Sequence, residues 1–150
     1  MSRRALAVGV AVCLLASALN GCVYYNAMYN TKRLARSARK AERDGRTFEA
    51  TNFWGQVATR AESVVVQHPR SKYVDEAMVL RGLALARLGQ CPTAVTGLER
   101  VASLEPGTDV SEEAALALGR CRVELGDPAT AEGDFARVAE SRDDGRRAEA

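Results

Sequence analysis

Apolar residues recur at helical spacing along this chain, in pairs of stretches that are separated by a glycine. In the clearest pair, residues 76–106, the two stretches meet at residues 89–92 (GQCP). A glycine can end one helix there, and a proline can open the next. A second such pair follows 37 residues later, around Gly126, and a fainter one lies upstream, around Gly45. The pattern therefore predicts an all-α chain built from three helical hairpins.

The second helices of the three hairpins share residue types at fixed distances from the break glycine. A small residue comes at the fifth position, a large apolar one at the ninth and valine at the twelfth, and these offsets lie on one helix face. The positions are Ala50, Ala94, Ala131, Trp54, Leu98, Phe135, Val57, Val101 and Val138. Seven residues before the break, the first helices of the second and third hairpins carry Gly82 and Gly119. Small residues let the helices approach, and the large ones fill the space between units.

This combination resembles the tetratricopeptide repeat (TPR), whose helices carry small, aromatic and apolar residues at these offsets and whose closing proline corresponds to Pro106. The resemblance implies a TPR-like right-handed stack of three helical hairpins, an α-solenoid; the alternative is an unrelated helical bundle. It also implies that the first helices form a concave surface that binds another protein. The contact positions that it implies are Met78, Arg81, Leu85, Ala115, Leu118 and Arg122.

Apolar periodicity and capping residues predict where several helices begin. The first helix is predicted at Asn26–Asp44 and the second at about Phe48–Gln67, with Phe48 on its apolar face. Side-chain oxygens that can accept a backbone N–H near a helix start are the mark of an N-cap. The predicted caps are Ser71, Ser111 and Asp127. Asp127 is followed by a proline, which suits the first position of a helix.

The chain begins with the features of an export signal. Two arginines, Arg3 and Arg4, precede an uncharged apolar run over residues 5–19. At about 1.5 Å per residue this run spans about 22 Å, which is short of the roughly 30 Å hydrocarbon core. Residues 19–22 (LNGC) resemble a bacterial lipobox, which implies that residues 1–21 are a lipoprotein signal peptide and that Cys22 carries the lipid. The alternative is ordinary cleavage after residues 16–18 (ASA).

The segment after the cysteine bears on where the protein resides. Val23 stands where an aspartate would mark inner-membrane retention, so the resemblance implies an outer-membrane location facing the periplasm. Residues 22–46 form the lipidated N-terminus and first helix, aromatic and then basic, with seven Lys and Arg against two acids from residue 23 onward. This predicts either a membrane-proximal basic face or a solvated helix face. Residues 47–141 form the TPR-like hairpins, and residues 142–150 form a polar tail.

The four cysteines are not equivalent. Cys13 leaves with the signal peptide and Cys22 is occupied by lipid, which leaves Cys91 and Cys121 in an oxidising compartment. In a stacked array, the start of the second unit's second helix lies beside the end of the third unit's first helix. We therefore predict a disulfide between Cys91 and Cys121. The alternative is a redox-active Cys91 at a helix N-terminus.

Residues 140–150 are too polar to cover the apolar side of Phe135 and Val138. We therefore expect that a partner covers this end, that the chain dimerises through it, or that the sequence is a fragment of a longer array.

No catalytic or cofactor-binding motif occurs in the sequence, which predicts a protein that is not an enzyme, has no cofactor or metal, and takes no small-molecule substrate. Residues 68–77 (HPRSKYVDEA) resemble the TPR lipoprotein of the β-barrel assembly machinery and the periplasmic TPR protein of the Tol-Pal system. The predicted function is a lipid-anchored scaffold that binds other envelope proteins in envelope biogenesis, with no nucleic-acid partner. The alternative is an accessory lipoprotein that binds or modifies peptidoglycan, which would need aromatic platforms that a lone Trp54 does not supply.

Overall fold

The computed structural model describes residues 26–104, 107–139, 141 and 147–148, and the long segments among them are helical. In chain order the helices are α1 (26–43), α2 (Thr47–Gln67), α3 (Val74–Arg87), α4 (Cys91–Ala102), α5 (Asp109–Glu124) and α6 (Pro128–Ala139). The described part of the chain contains no β-strand. The predicted all-α class is confirmed; α1 ends, and α2 begins and ends, within one residue of the predicted limits.

Each hairpin turns through a glycine with the same backbone conformation. Gly45, Gly89 and Gly126 have φ of 72°, 71° and 84°, in the left-handed region that a side chain disfavours. In each turn the N–H of the following residue donates to the carbonyl five residues back; for Gln90 and Leu85 the distance is 2.8 Å. This bond closes a Schellman-type helix end. The three break glycines therefore have the same structural role, as their spacing predicts.

The repeated small, large and valine positions form the core between the helices. Eight of the nine positions are buried, and the ninth, Phe135, is half-buried. One cluster joins α1, α2 and α3 around Trp54, and a second joins α3 to α6 around Leu98. Because α3 contributes to both clusters, the hairpins pack as a continuous array. The fold is an all-α, TPR-like helical solenoid.

The apolar face of α2 begins later than the sequence indicates. Trp54 is 2% exposed, and its indole N–H donates to Glu42 Oε1 of α1 at 2.8 Å. Phe48, which was predicted to share this face, is 80% exposed. The buried stripe runs through Ala50, Trp54, Val57, Ala61 and Val64. Phe48 lies two residues before the first of these, outside the stripe, so its predicted place in the core is wrong.

One of the three predicted caps is an N-cap, and the others differ in detail. Asp127 Oδ1 accepts the N–H of Thr130 at 3.2 Å, directly before α6. Ser71 Oγ accepts the N–H of Tyr73 at 3.2 Å, but α3 begins only after Tyr73. The prediction for Ser111 is wrong, because the N-cap of α5 is Thr108 and Ser111 donates its N–H to the Thr108 hydroxyl. The helix therefore begins two residues before Ser111, which itself lies within its first turn.

The Asp127 cap gives a testable pH dependence. The hydroxyl and N–H of Thr130 hold the pKa of Asp127 below its usual value. A carboxyl whose pKa is lowered by folding stabilises the folded protein when the pH is above the pKa of the unfolded state, about 3.9. The protein loses this stabilisation as the pH falls through the pKa of the folded state. We expect Asp127→Asn, which keeps an acceptor without a charge, to reduce the loss of thermal stability on acidification.

The measurement is the thermal midpoint followed by circular dichroism from neutral pH to acid. Glu132→Gln, on the same helix but capping no helix end, is the matched control and should keep the acid dependence of the wild type. An unchanged acid dependence in Asp127→Asn would contradict the assigned cap.

The end of the array is better covered than the sequence predicts. Val138 is fully buried, and Ser141, just past α6, is 4% exposed. The Ser141 hydroxyl donates to Glu112 Oε2 of α5 at 2.6 Å. The chain therefore packs back onto α5 after α6 ends. We expected both Phe135 and Val138 to be exposed at this end. That expectation is corrected for Val138, whereas Phe135 is half-buried.

Residues 1–25 lie outside the described part, and with them the predicted signal peptide, Cys13 and Cys22. Among the described helices, none combines the length and the apolar character needed to cross a membrane.

Candidate protein-interaction surface

Ion pairs connect the first helices of the three hairpins. Lys32 Nζ of α1 lies 2.6 Å from Glu76 Oε1 of α3, and Arg39 of α1 pairs with Glu113 of α5. All four side chains are roughly one-third exposed. Pairs of this kind contribute little to stability, at most about 1 kcal/mol each. They connect α1 with α3 and with α5, on the side of the array where the TPR resemblance places partner contacts.

Three of the six predicted contact residues lie in the core. Leu85 is 8% exposed, Leu118 is 2% exposed and Ala115 is 1% exposed, and all three belong to the cluster that joins α3 to α6. The reason is that α3 and α5 pack directly against each other in that cluster. These three residues therefore do not form an open contact surface, and this part of the prediction is corrected.

The other three predicted positions are partly exposed, and the two arginines among them are engaged within the array. Arg81 of α3 pairs with Glu62 of α2, and Met78 is half-buried. Arg122 of α5 donates from Nη1 to Asp134 at 2.6 Å and from Nη2 to Glu99 at 2.8 Å. Arg122 therefore links α4, α5 and α6, which is a structural role that the sequence did not predict.

The Arg122 cluster carries two opposing electrostatic effects. Burial alone would lower the pKa of Arg122, but its bonds to Glu99 and Asp134 outweigh burial and raise it. Asp134 is 4% exposed, and burial raises the pKa of its carboxyl although Arg122 opposes this. The two directions are compatible, since Arg122 bonds to two carboxylates, whereas the Asp134 carboxyl is largely shielded from water. The arginine is thus firmly charged and bound within the array.

The two cysteines meet where the stacked hairpins predict. The structure joins Cys91, at the start of α4, to Cys121 of α5 as a disulfide with a Cα–Cα distance of 5.2 Å. Both residues are fully buried. The Glu124 carboxylate lies 3.4 Å from the Cys91 sulfur, and the bond is shielded from solvent. This environment favours a structural cysteine pair over a redox-active Cys91.

A groove of about 480 Å³ lies where α3 begins, α4 ends and α5 begins. Its apolar wall comes from Val101, Leu104 and Val110. Lys72 and Asp75 place opposite charges along it. Such a mixture can bind apolar side chains and also orient a polar backbone or charged group. This groove lies between units. No sequence pattern marks it, because its walls come from the ends of three helices.

The described residues give no support for a metal site or a sugar-binding site. The described residues contain no group of three or more His, Cys, Asp or Glu that could hold a metal ion. Trp54 is buried against α1, so it offers no platform for a sugar ring.

The comparison with protein families agrees with the geometry. A sequence model described as a tetratricopeptide repeat matches residues 76–108, which contain the greater part of α3, all of α4 and the connection to α5. No curated protein matches the chain closely enough to count as a relative. Residues 76–108, the middle hairpin of the array, thus match a tetratricopeptide repeat. A repeat of this kind suggests a scaffold for protein–protein interaction.

Proposed function

We propose that this chain is a lipid-anchored, periplasm-facing scaffold at the outer membrane, which binds another envelope protein during envelope biogenesis. The observation that carries the proposal is the TPR repeat at residues 76–108 within a stack of three hairpins. Repeats of this kind present extended surfaces to protein partners. The likeness of residues 68–77 to TPR proteins of the barrel-assembly and Tol-Pal systems supports a role close to outer-membrane protein assembly.

The anchoring part of the proposal rests on the sequence around Cys22. An apolar run ends three residues before this cysteine, and residue 26 already lies in α1, so little chain separates the attached lipid from the folded array. Stable membrane attachment needs more than one acyl chain, because each buried methylene contributes about 0.8 kcal/mol. A lipoprotein-type modification of Cys22 would meet that need.

The groove between the second and third units is the proposed partner site. Leu104 is 40% exposed at its rim, and Val101 forms part of its floor, while Lys72 and Asp75 supply charge. An extended segment of a partner could bury an apolar side chain against Leu104 and pair a polar group with either charge. The array would then work as a holder that brings the partner to the membrane surface.

Site-specific photo-crosslinking in living cells tests the partner site. A crosslinking residue at Leu104 is expected to capture one defined envelope protein, identified by mass spectrometry. The same residue at Gln56, exposed on the outer face of α2, is the control and should not capture it. Equal capture from both positions, or none from Leu104, would contradict the groove as the binding site.

Intact-mass analysis of the protein purified from membranes tests the anchor. We expect a chain that begins at Cys22 and carries a diacylglycerol-type lipid with a further acyl group. A chain cleaved after Ala18 without added lipid would overturn the anchoring part and leave the partner site to be judged by crosslinking.

A further inference from the structure

The first hairpin is longer than the other two, and the extra length lies at one edge. At about 1.5 Å per residue, the 21 residues of α2 span about 31 Å, whereas the 12 residues of α4 span about 18 Å. The three glycine turns occupy the same edge of a hairpin array, so the additional turns emerge at the opposite edge. That opposite edge contains the start of α1, at residue 26, and the end of α2, at Gln67. We call residues 26–33 and 63–72 the projecting edge.

All charged residues of the projecting edge are basic. It contains Lys32, Arg33, Arg70 and Lys72 and no aspartate or glutamate. Of the acids nearest in sequence, Glu62 pairs with Arg81 outside the edge, whereas Glu76 pairs with Lys32 and offsets that one cation. Lys32 and Lys72 also lie 5.9 and 5.0 Å from the centroid of the Tyr73 ring, so two segments of the edge meet on one aromatic side chain.

Apolar side chains are exposed among these cations. Val66 is 65% exposed and Tyr29 is 50% exposed. A tyrosine with an apolar body and a polar tip suits the boundary between water and lipid, and basic side chains reach phosphate head groups while their stems stay in less polar surroundings. The edge thus combines the two features that attract a protein to an anionic bilayer surface.

We propose that the projecting edge docks on anionic phospholipid, so that the array stands on the membrane by this edge. The proposal deepens the proposed function, because it supplies the membrane contact of a protein that Cys22 would anchor. Three residues lie between Cys22 and Asn26, the first described residue of α1, and a chain of that length reaches at most about 14 Å. A lipid on Cys22 would therefore hold this edge against the head groups, and the glycine turns would face away from them.

Vesicle binding of unlipidated protein tests the docking apart from the anchor. All proteins carry Cys22→Ser in the full chain, so lipid attachment is blocked and the first 21 residues are the same in each. Binding is measured by cosedimentation with vesicles of phosphatidylcholine alone and with vesicles that also contain phosphatidylglycerol. We expect tighter binding to the anionic vesicles, and this preference should weaken as salt is added.

The decisive variant is Arg33→Gln with Arg70→Gln, which removes two exposed cations from separate segments of the edge. At about 1 kcal/mol per cation near an anionic surface, its affinity for anionic vesicles should fall about 30-fold. The matched control is Lys40→Gln with Arg43→Gln, which removes the same charge from exposed positions at the other end of α1. The control should keep affinity within about threefold of the parent.

Three outcomes would overturn the docking edge: no preference for anionic vesicles, equal losses in both double variants, or full binding in the Arg33 and Arg70 variant. None of them bears on the lipid at Cys22, which intact mass decides. Circular dichroism of each variant confirms folding, since all four substituted side chains are exposed and leave the core unchanged.

Discussion

Replacing Cys91 and Cys121 together by alanine is expected to lower the free energy of unfolding by about 3–4 kcal/mol. The bond closes a loop with a sequence separation of 30 residues, and in the chain-entropy account a closure of that length restricts the unfolded chain by about this amount. The bond also joins α4 to α5, and so the second hairpin to the third. Because domains of this size are stable by only about 5–15 kcal/mol, a fall of roughly 10 °C in the melting temperature should follow.

Reduction of the wild-type protein separates the effect of the bond from that of the side chains. A thiol reductant should lower the melting temperature of the wild type toward that of the double alanine variant and leave the variant unchanged. Peptide mapping without reduction should recover the peptides of Cys91 and Cys121 joined. Two free thiols in the unfolded, unreduced protein would contradict the bond, as would a wild-type melting temperature that reductant does not move.

Much of the fold follows from local features of the sequence. The glycines at 45, 89 and 126 adopt a backbone conformation in which glycine has a distinct advantage, so they mark the hairpin turns without help from tertiary structure. The repeated offsets that follow them place one face of each second helix, and eight of those nine positions are buried. The start of α6 is equally local, because Asp127 and Pro128 suit the cap and the first position of a helix.

The surface was harder to predict because it depends on how closely the helices pack. Family offsets identify the side of α5 on which Ala115 and Leu118 lie, but they do not give the distance to α3. Both positions are buried because α3 and α5 share one core cluster. The groove at Leu104 had no sequence pattern of its own, since its walls come from the ends of three helices. Which helix ends lie close together depends on the tertiary structure, and the periodicity of the sequence does not predict it.

Gly82→Ala is expected to destabilise the protein although alanine is the better helix former. A Cβ atom at Gly82 would lie 2.5 Å from Cδ2 and 2.6 Å from Cγ of Leu98, and Leu98 is fully buried, so it has little room to move. Overpacking of this kind costs about 1–3 kcal/mol, which outweighs the roughly 1 kcal/mol that alanine gains in a helix. Gly119→Ala meets Phe135 at 2.6 Å but should cost less, because Phe135 is only half-buried.

A double-mutant cycle tests whether Leu98 is the cause. Leu98→Ala alone should cost about 2–5 kcal/mol, since it leaves a cavity in the cluster between α3 and α6. In that background Gly82→Ala no longer meets an obstacle and fills part of the cavity, so it should become stabilising, with a coupling of about 2 kcal/mol. Gly133→Ala, a helical glycine of α6 with nothing within 4 Å of an added Cβ, is the control and should stabilise both backgrounds equally.

Additive effects of Gly82→Ala and Leu98→Ala in denaturant unfolding would mean that the glycine does not serve the close approach of α3 and α4. Non-additive effects would mean that this glycine and this leucine interact directly in the core, and the equivalent pair, Gly119 with Phe135, should then couple in the same direction.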